Sequence, residues 1–332
     1  MTSPKYDVVG IGNAIMDVLV SASDETVAAL DMPKGSMRLI DEGEADRLYA
    51  AMDDTKVTAP GGSVANSIAG LALLGGRSAL LGRTRDDEVG RAYAQGLRDT
   101  GIHFETAAAK DGAGTGRCLI FVSPDAQRTM NTFLGAGADF TKDDLEEDVI
   151  AASAVTYLEG YLYSTPTTKD AFDKAIAIAE AAGRKVALSL SDPFCVEGHL
   201  EDFRRIVAED VDILFANIDE AKMLYGTDDV DEVIKRAAAD CDIAAITQGP
   251  DGATLVRGDE RAFVPAEPLG AVVDTTGAGD QFAAGVLYGL ATGDDLARAA
   301  KLGALMAGEV ISHFGPRPEA DVRALAKEAG LL

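Results

Sequence analysis

In the stretch DTTGAGDQF, Asp274 to Phe282, two glycines and a carboxylate stand where an apolar run gives way to a helical pattern. Glycine and aspartate are poor helix formers, so their place in a first turn invites a reason. A helix N-terminus carries N–H groups with no intrahelical acceptor, and together with the helix dipole these bind anions. Gly277, Ala278 and Gly279 would form such an anion hole, with no Cβ on the glycines to hold a phosphoryl group away. Asp280 beside it could accept a proton from an attacking hydroxyl, a role worth about 10²–10⁴ in rate. The plain alternative is that Asp and Gly are common at helix starts.

Four other stretches carry side chains of the same kind. In GIGNAIMD, Asn13 and Asp17 follow the first apolar run, where ligands of open α/β sheets collect, and could bind vicinal sugar hydroxyls. They would serve equally as turn and cap residues. The dinucleotide pattern GxGxxG fails there, because Ile15 stands at the third glycine. In APGGSVANS, Gly61-Gly62 permits close backbone approach, Ser63 would cap a helix, and Asn66 would point to the ligand side. In NIDE, Asn217 and Glu220 share one face of a helical turn. Glu220 could orient Mg²⁺ through water, since that ion keeps most of its waters, or the pair could simply cap a helix. In ITQGPDG, Thr247 and Gly249 suit a turn along a nucleotide or a hairpin connection.

Elements must hold these residues in place. Short apolar runs (YDVVGIG, SALLG, AVTYLEG, KVALSLS, DILFAN, IAAITQG) alternate with stretches of helical period. Non-alternating strands followed by helices predict a parallel sheet covered on both faces. Near the end, GATLVRG and ERAFVPAE read as an antiparallel pair, followed by helices near 277–291, 295–312 and 318–329. Residues 13–60 and 113–134 break the alternation as short strands around small helices. They are expected to form a small β-sheet lid on the substrate side of a single domain covering 1–332.

Composition narrows the function. The net charge of −25 argues against nucleic acid or an anionic membrane as partner. Three separated cysteines (Cys118, Cys195, Cys241) fit neither a disulfide framework nor a zinc knuckle. Three scattered histidines leave no HExxH and little room for Ser-His-Asp catalysis. Walker A and HRD…DFG patterns are absent. The first twenty residues lack a signal-peptide pattern, and no apolar run is long enough to span a membrane, so a cytoplasmic protein is expected.

GGSVANSIAGLALLGG, NIDE and DTTGAGDQF, in this order and spacing, resemble the ribokinase-like (PfkB) family of sugar and nucleoside kinases over essentially the whole chain. GNAIMDV, SLSDPFCV and TGRCLIFV…QRTMNTFLGAGADF look most like the adenosine kinases within it. The resemblance implies a Rossmann-type three-layer α/β sandwich with a β lid. It implies an ATP- and Mg²⁺-dependent kinase acting on the 5′-hydroxyl of a purine nucleoside, with Asp280 as general base and Gly277 to Gly279 as anion hole. Asn13 and Asp17 would hold ribose hydroxyls, with Gly62, Ser63 and Asn66 lining the same site. Leu134, Tyr161 and Phe194 would line the purine pocket. Asn217 and Glu220 would orient Mg²⁺-ATP, and Thr247, Gly249 and the region near His313 would lie along ATP. A monovalent cation such as K⁺ near Asp274 to Thr276 is implied too, and the protein would be a monomer or homodimer. Phe133 stands where an amide is more usual, and Glu159 is a charge near the expected pocket wall. Inosine or guanosine kinases and sugar kinases acting on ribose, fructose or a ketogluconate are the alternatives. A silent binding protein on the same scaffold would have no need of Asp280 beside an anion hole.

Overall fold

The computed structural model describes residues 3–125 and 127–332. Thirteen strands run through the described residues: β1 Tyr6–Ile11, β2 Ile15–Ser21, β3 Met37–Leu39, β4 Val57–Gly61, β5 Ser78–Leu81, β6 Thr115–Val122, β7 Arg128–Gly135, β8 Ser153–Glu159, β9 Lys185–Ser189, β10 Ile213–Asn217, β11 Ile243–Thr247, β12 Ala253–Arg257 and β13 Glu260–Val264.

Eight of them form one sheet in the order β13-β12-β11-β10-β9-β8-β1-β5. From β5 to β11 every pairing is parallel, and β12 and β13 add antiparallel. The parallel strands are apolar at successive positions because both faces are covered. Tyr157 packs into a core on one side and Leu158 into a core on the other. Helices Ser63–Leu74, Ala278–Thr292 and Leu296–Val310 lie in the first layer. Helices Pro166–Ala181, Leu200–Glu209 and Ile218–Tyr225 lie in the second. The result is a three-layer α/β sandwich.

The two stretches that break the alternation supply a five-stranded sheet, β3-β7-β6-β2-β4. Its β2 leaves β1 after three residues and pairs in parallel with β6, so Asp17 sits beside Cys118. One face of this sheet is a small apolar cluster of Ile15, Cys118, Ile120 and Val122, with Leu19, Met130 and Leu134 packed against it. Among the described residues no helix is long and apolar enough to cross a membrane.

Candidate active site

Parallel strands all present their C-terminal ends to one edge, and ligands of such sheets collect there. Asn13 follows β1, Glu159 ends β8, Asn217 ends β10 and Thr247 ends β11. Two helices bring the remaining groups, Ser63–Leu74 and Ala278–Thr292, which pack against each other.

The Asp280 helix begins at Ala278, with Gly277 as N-cap at φ 74°. The two glycines serve different ends, against the expectation that both admit a phosphoryl group. A Cβ on Gly277 would lie 2.6 Å from the Pro316 carbonyl oxygen, so this glycine answers to backbone shape and packing. A Cβ on Gly279 would meet nothing within 4 Å, so its space opens onto the site.

Asp280 faces the other helix. Ser63 Oγ donates to Oδ1 at 2.6 Å, and Asn66 Nδ2 donates to Oδ2 at 3.0 Å. Burial pushes this carboxyl up to about 6 against those two donors and the Arg317 guanidinium, which pull it down. Ser63 was expected to cap its helix. Gly62 holds the cap position instead, at φ 98°, and the Ser63 hydroxyl is spent on Asp280.

Asn13 and Asp17 are buried and line the same cavity as Asp280. Burial raises Asp17 to about 7, opposed by Arg317 and Arg128 and reinforced by Asp280. Glu159 is no loose charge on the wall. Its Oε1 accepts from the Asn13 backbone N–H at 3.2 Å and from Asn13 Nδ2 at 2.8 Å, and its Oε2 accepts from Val64 N–H at 3.0 Å. It therefore fixes Asn13 and tops the Ser63 helix, although burial pushes it up to about 7. Glu159→Gln would turn an amide donor toward one of these N–H groups. The expected cost is about 1–3 kcal/mol of stability, with a raised KM for the acceptor as Asn13 loses its anchor. Urea melts and steady-state kinetics together check this.

Three cavities adjoin. One of about 400 Å³ is lined by Asn13, Asp17 and Asp280 together with Leu134, Tyr161 and Phe194. The Tyr161 and Phe194 rings lie 6.1 Å apart, and Phe194 is 47% exposed. Phe133 is turned away into the core, so its departure from the usual amide does not touch this cavity. A second cavity, of about 350 Å³, is lined by Thr247, Gly249, Gly279 and the apolar side chains Phe282, Ala304 and Ile311. A third, of about 200 Å³, lies between Asn217, Glu220, Gly279 and Asp280. Thr275 lines all three.

Asn217 and Glu220 form a complete capping box. Asn217 Oδ1 accepts from Asp219 and Glu220 N–H, while Glu220 accepts from Asn217 N at 2.9 Å and Nδ2 at 2.6 Å. Burial still raises the Glu220 carboxyl to about 7, and its residue borders the 200 Å³ cavity. Two carboxylates, Glu220 and Asp280, border this space, which suits an ion that keeps its waters, so the residues present fit hydrated Mg²⁺.

Two expectations need correction. The His313 ring does not line the 350 Å³ cavity; its Nε2 pairs with Glu309 at 3.2 Å, and Ile311 lines the wall instead. Asp274 is fully engaged: Oδ1 accepts from Thr276 N–H and Oγ1 and pairs with Arg128 Nε at 2.9 Å, and Oδ2 accepts from Gly315 N–H. The Arg128 guanidinium already balances the charge a monovalent cation would use, so the side chains present do not fit that cation at Asp274.

Arg128, Arg317 and Gln281 were not foreseen as site residues. Arg128 reaches Asp274 from the five-stranded sheet, and Gln281 Nε2 bridges the Asn66 and Pro316 carbonyls at 3.0 and 2.9 Å. A cation next to a Pro-rich turn, as in FGPRP, was the one signal available for Arg317.

Comparison with known proteins agrees with this geometry. Residues 45–322 match the pfkB family carbohydrate kinases. The chain is similar to the crystal structure of adenosine kinase from Sinorhizobium meliloti, at 44% identity over 98% of this chain and 99% of that one, with a TM-score of 0.91. It is similar to a probable sugar kinase protein from Rhizobium etli, at 42% identity over 99% and 100% of the two chains, with a TM-score of 0.93. It is 26% identical to adenosine kinase of Saccharomyces cerevisiae over 95% of this chain and 97% of that protein. The chain belongs to the pfkB family of carbohydrate kinases, phosphotransferases that act on a hydroxyl group.

Proposed function

We propose that this kinase phosphorylates the 5′-hydroxyl of a purine nucleoside, adenosine foremost, from Mg²⁺-ATP. The observation that carries the reading is the mixed lining of the 400 Å³ cavity: Asn13, Asp17, Ser63, Asn66 and Asp280 share it with the apolar sheet residues Ile15, Ile120 and Leu134 and the rings of Tyr161 and Phe194. A free sugar has nothing to set against that apolar lining, whereas a purine does. The likeness to adenosine kinases points the same way, and the likeness to a sugar kinase keeps free sugars as the second reading.

In this reading Asn13 and Asp17 bind the ribose hydroxyls and so orient the 5′-oxygen toward Asp280. Asp280 accepts the proton as that oxygen attacks. When bound, Mg²⁺-ATP supplies the phosphoryl group and neutralises part of its charge. The N–H groups at Gly279 and Asp280 lie at the head of the helix and stabilise the developing negative charge. Thr247 and Gly249 flank the groove that takes the nucleotide, and Asn217 and Glu220 would hold the water shell of Mg²⁺. The five-stranded sheet acts as the lid of the acceptor cavity and excludes water. The same reading has the protein acting on small molecules in the cytoplasm, with neither nucleic acid nor membrane as partner.

The test is ADP release from Mg²⁺-ATP with adenosine, inosine, guanosine, ribose and fructose offered separately. Adenosine should give the largest kcat/KM, and Phe194→Ala should lower it for adenosine while leaving any turnover of ribose unchanged. Turnover confined to free sugars would overturn the nucleoside reading and leave the hydroxyl kinase in place.

A further inference from the structure

The loop after helix Leu296–Val310 is fastened to the Asp280 turn at three points. Gly315 N–H donates to Asp274 Oδ2 at 3.1 Å, Gln281 Nε2 donates to the Pro316 carbonyl at 2.9 Å, and Gly277 packs directly on Pro316. The next residue, Arg317, is thereby delivered beneath Asn66. Its Nε donates to Asn66 Oδ1 at 3.4 Å. Its Nη2 is buried and has no hydrogen-bond partner among the described residues.

An unpaired N–H on a buried cation costs stability, so packing alone gives little reason to place a guanidinium there. Asn66 supplies a reason. The two ends of its amide are nearly equal in shape, and only the Nδ2 end can donate to Asp280. An arginine can only donate, so Nε holds the Oδ1 end toward itself and turns Nδ2 to Asp280. The electrostatics supply another. Asp280 shares its surroundings with the carboxyls of Asp17 and Glu159 and the phenols of Tyr157 and Tyr161. Against these stand Arg317, which acts on both Asp17 and Asp280, and Arg128, which acts on Asp17. Tyr93 faces Arg317 from the helix Glu88–Asp99.

We propose that Arg317 is a positioning residue for phosphoryl transfer: it orients Asn66 and supplies the positive charge that keeps Asp280 ionised among its acidic neighbours. The role in transfer rests on the reading of Asp280 as base, whereas the coupling of Arg317 to Asp280 does not.

The coupling is measured in the free protein, with aspartate labelled at the carboxyl carbon. Asp280→Asn assigns the signal, and its titration is followed by ¹³C NMR in wild type, Arg317→Met, Arg317→Gln and Arg317→Lys. Loss of the charge in the Met and Gln variants should raise the Asp280 midpoint by about one unit, and Lys should restore most of it. In turnover, the acid limb should move with it, making the loss at pH 6 about fivefold greater than at pH 8.5. A folded Met or Gln variant with an unmoved midpoint, or a Lys variant no better than Met, would overturn the proposal. A midpoint that moves as expected in a protein that phosphorylates no hydroxyl acceptor would leave the coupling standing and sink the base assignment instead.

Discussion

Asp280→Asn should leave a folded protein whose kcat has fallen about 10²–10⁴-fold, the range for a positioned general base. The substitution keeps the volume of the side chain, and the Ser63 hydroxyl can turn to accept from the new amide, so the pocket need not collapse. What is lost is the basic oxygen that Ser63 and Asn66 now hold in place. The pH profile makes the assignment specific. Burial lifts the Asp280 carboxyl to about 6, and only the ionised form can take a proton. Wild-type kcat/KM should therefore fall as pH drops through about 6, and the variant's residual rate should lack that limb. Circular dichroism with ADP release between pH 5 and 9 checks both. A rate within tenfold of wild type, or the same acid limb in the variant, would mean that another group accepts the proton. Asp17 and Glu159, each pushed up to about 7, would then be the groups to replace next.

Most of the architecture could be read along the chain, because a strand buried on both faces announces itself as an apolar run. Residues of β1, β5, β8, β9, β10 and β11 were all recognisable in this way. The register of the five-stranded sheet was not. Its β2 pairs with β6 about 100 residues later, and β3 has only three residues. The site divides along the same line. The places of Asp280 and Asn66 in the first turns of their helices, and the Asn217–Glu220 cap, were legible from local spacing. Ser63 lines the cavity as expected, but its cap role was misread because local propensity favours a serine cap, and the positive φ of Gly62 lets a glycine take that position. Glu159 looked anomalous because its partners, Asn13 and Val64, lie 146 and 95 residues away. Arg317 meets Asn66 across 251 positions. No local pattern reports such pairings; they exist only once the sheet brings the loops to one edge.

The two glycines before Asp280 should separate stability from chemistry. Gly277→Ala asks a residue with a Cβ to adopt φ 74° and to sit 2.6 Å from the Pro316 carbonyl oxygen. The backbone strain alone costs about 1–3 kcal/mol, and relief would require the Gly315–Arg317 loop to move. A lower thermal midpoint and a loosened Arg317 are expected, with activity falling as a consequence of the displaced loop. Gly279→Val places its side chain in space that is open now, on a helix where glycine is a poor former. Stability should hold. The added methyls would instead stand between the 350 and 200 Å³ cavities, both of which Gly279 lines, and keep a phosphoryl group from the N–H donors, whose removal in other sites costs about 10²–10³ in rate. The expected result is kcat reduced at least about 100-fold in a protein with an unchanged melting curve. Calorimetry and kinetics on the two variants read the contrast directly. If Gly279→Val melts early, or turns over normally, then the open space beside Gly279 is not the path of the transferred group.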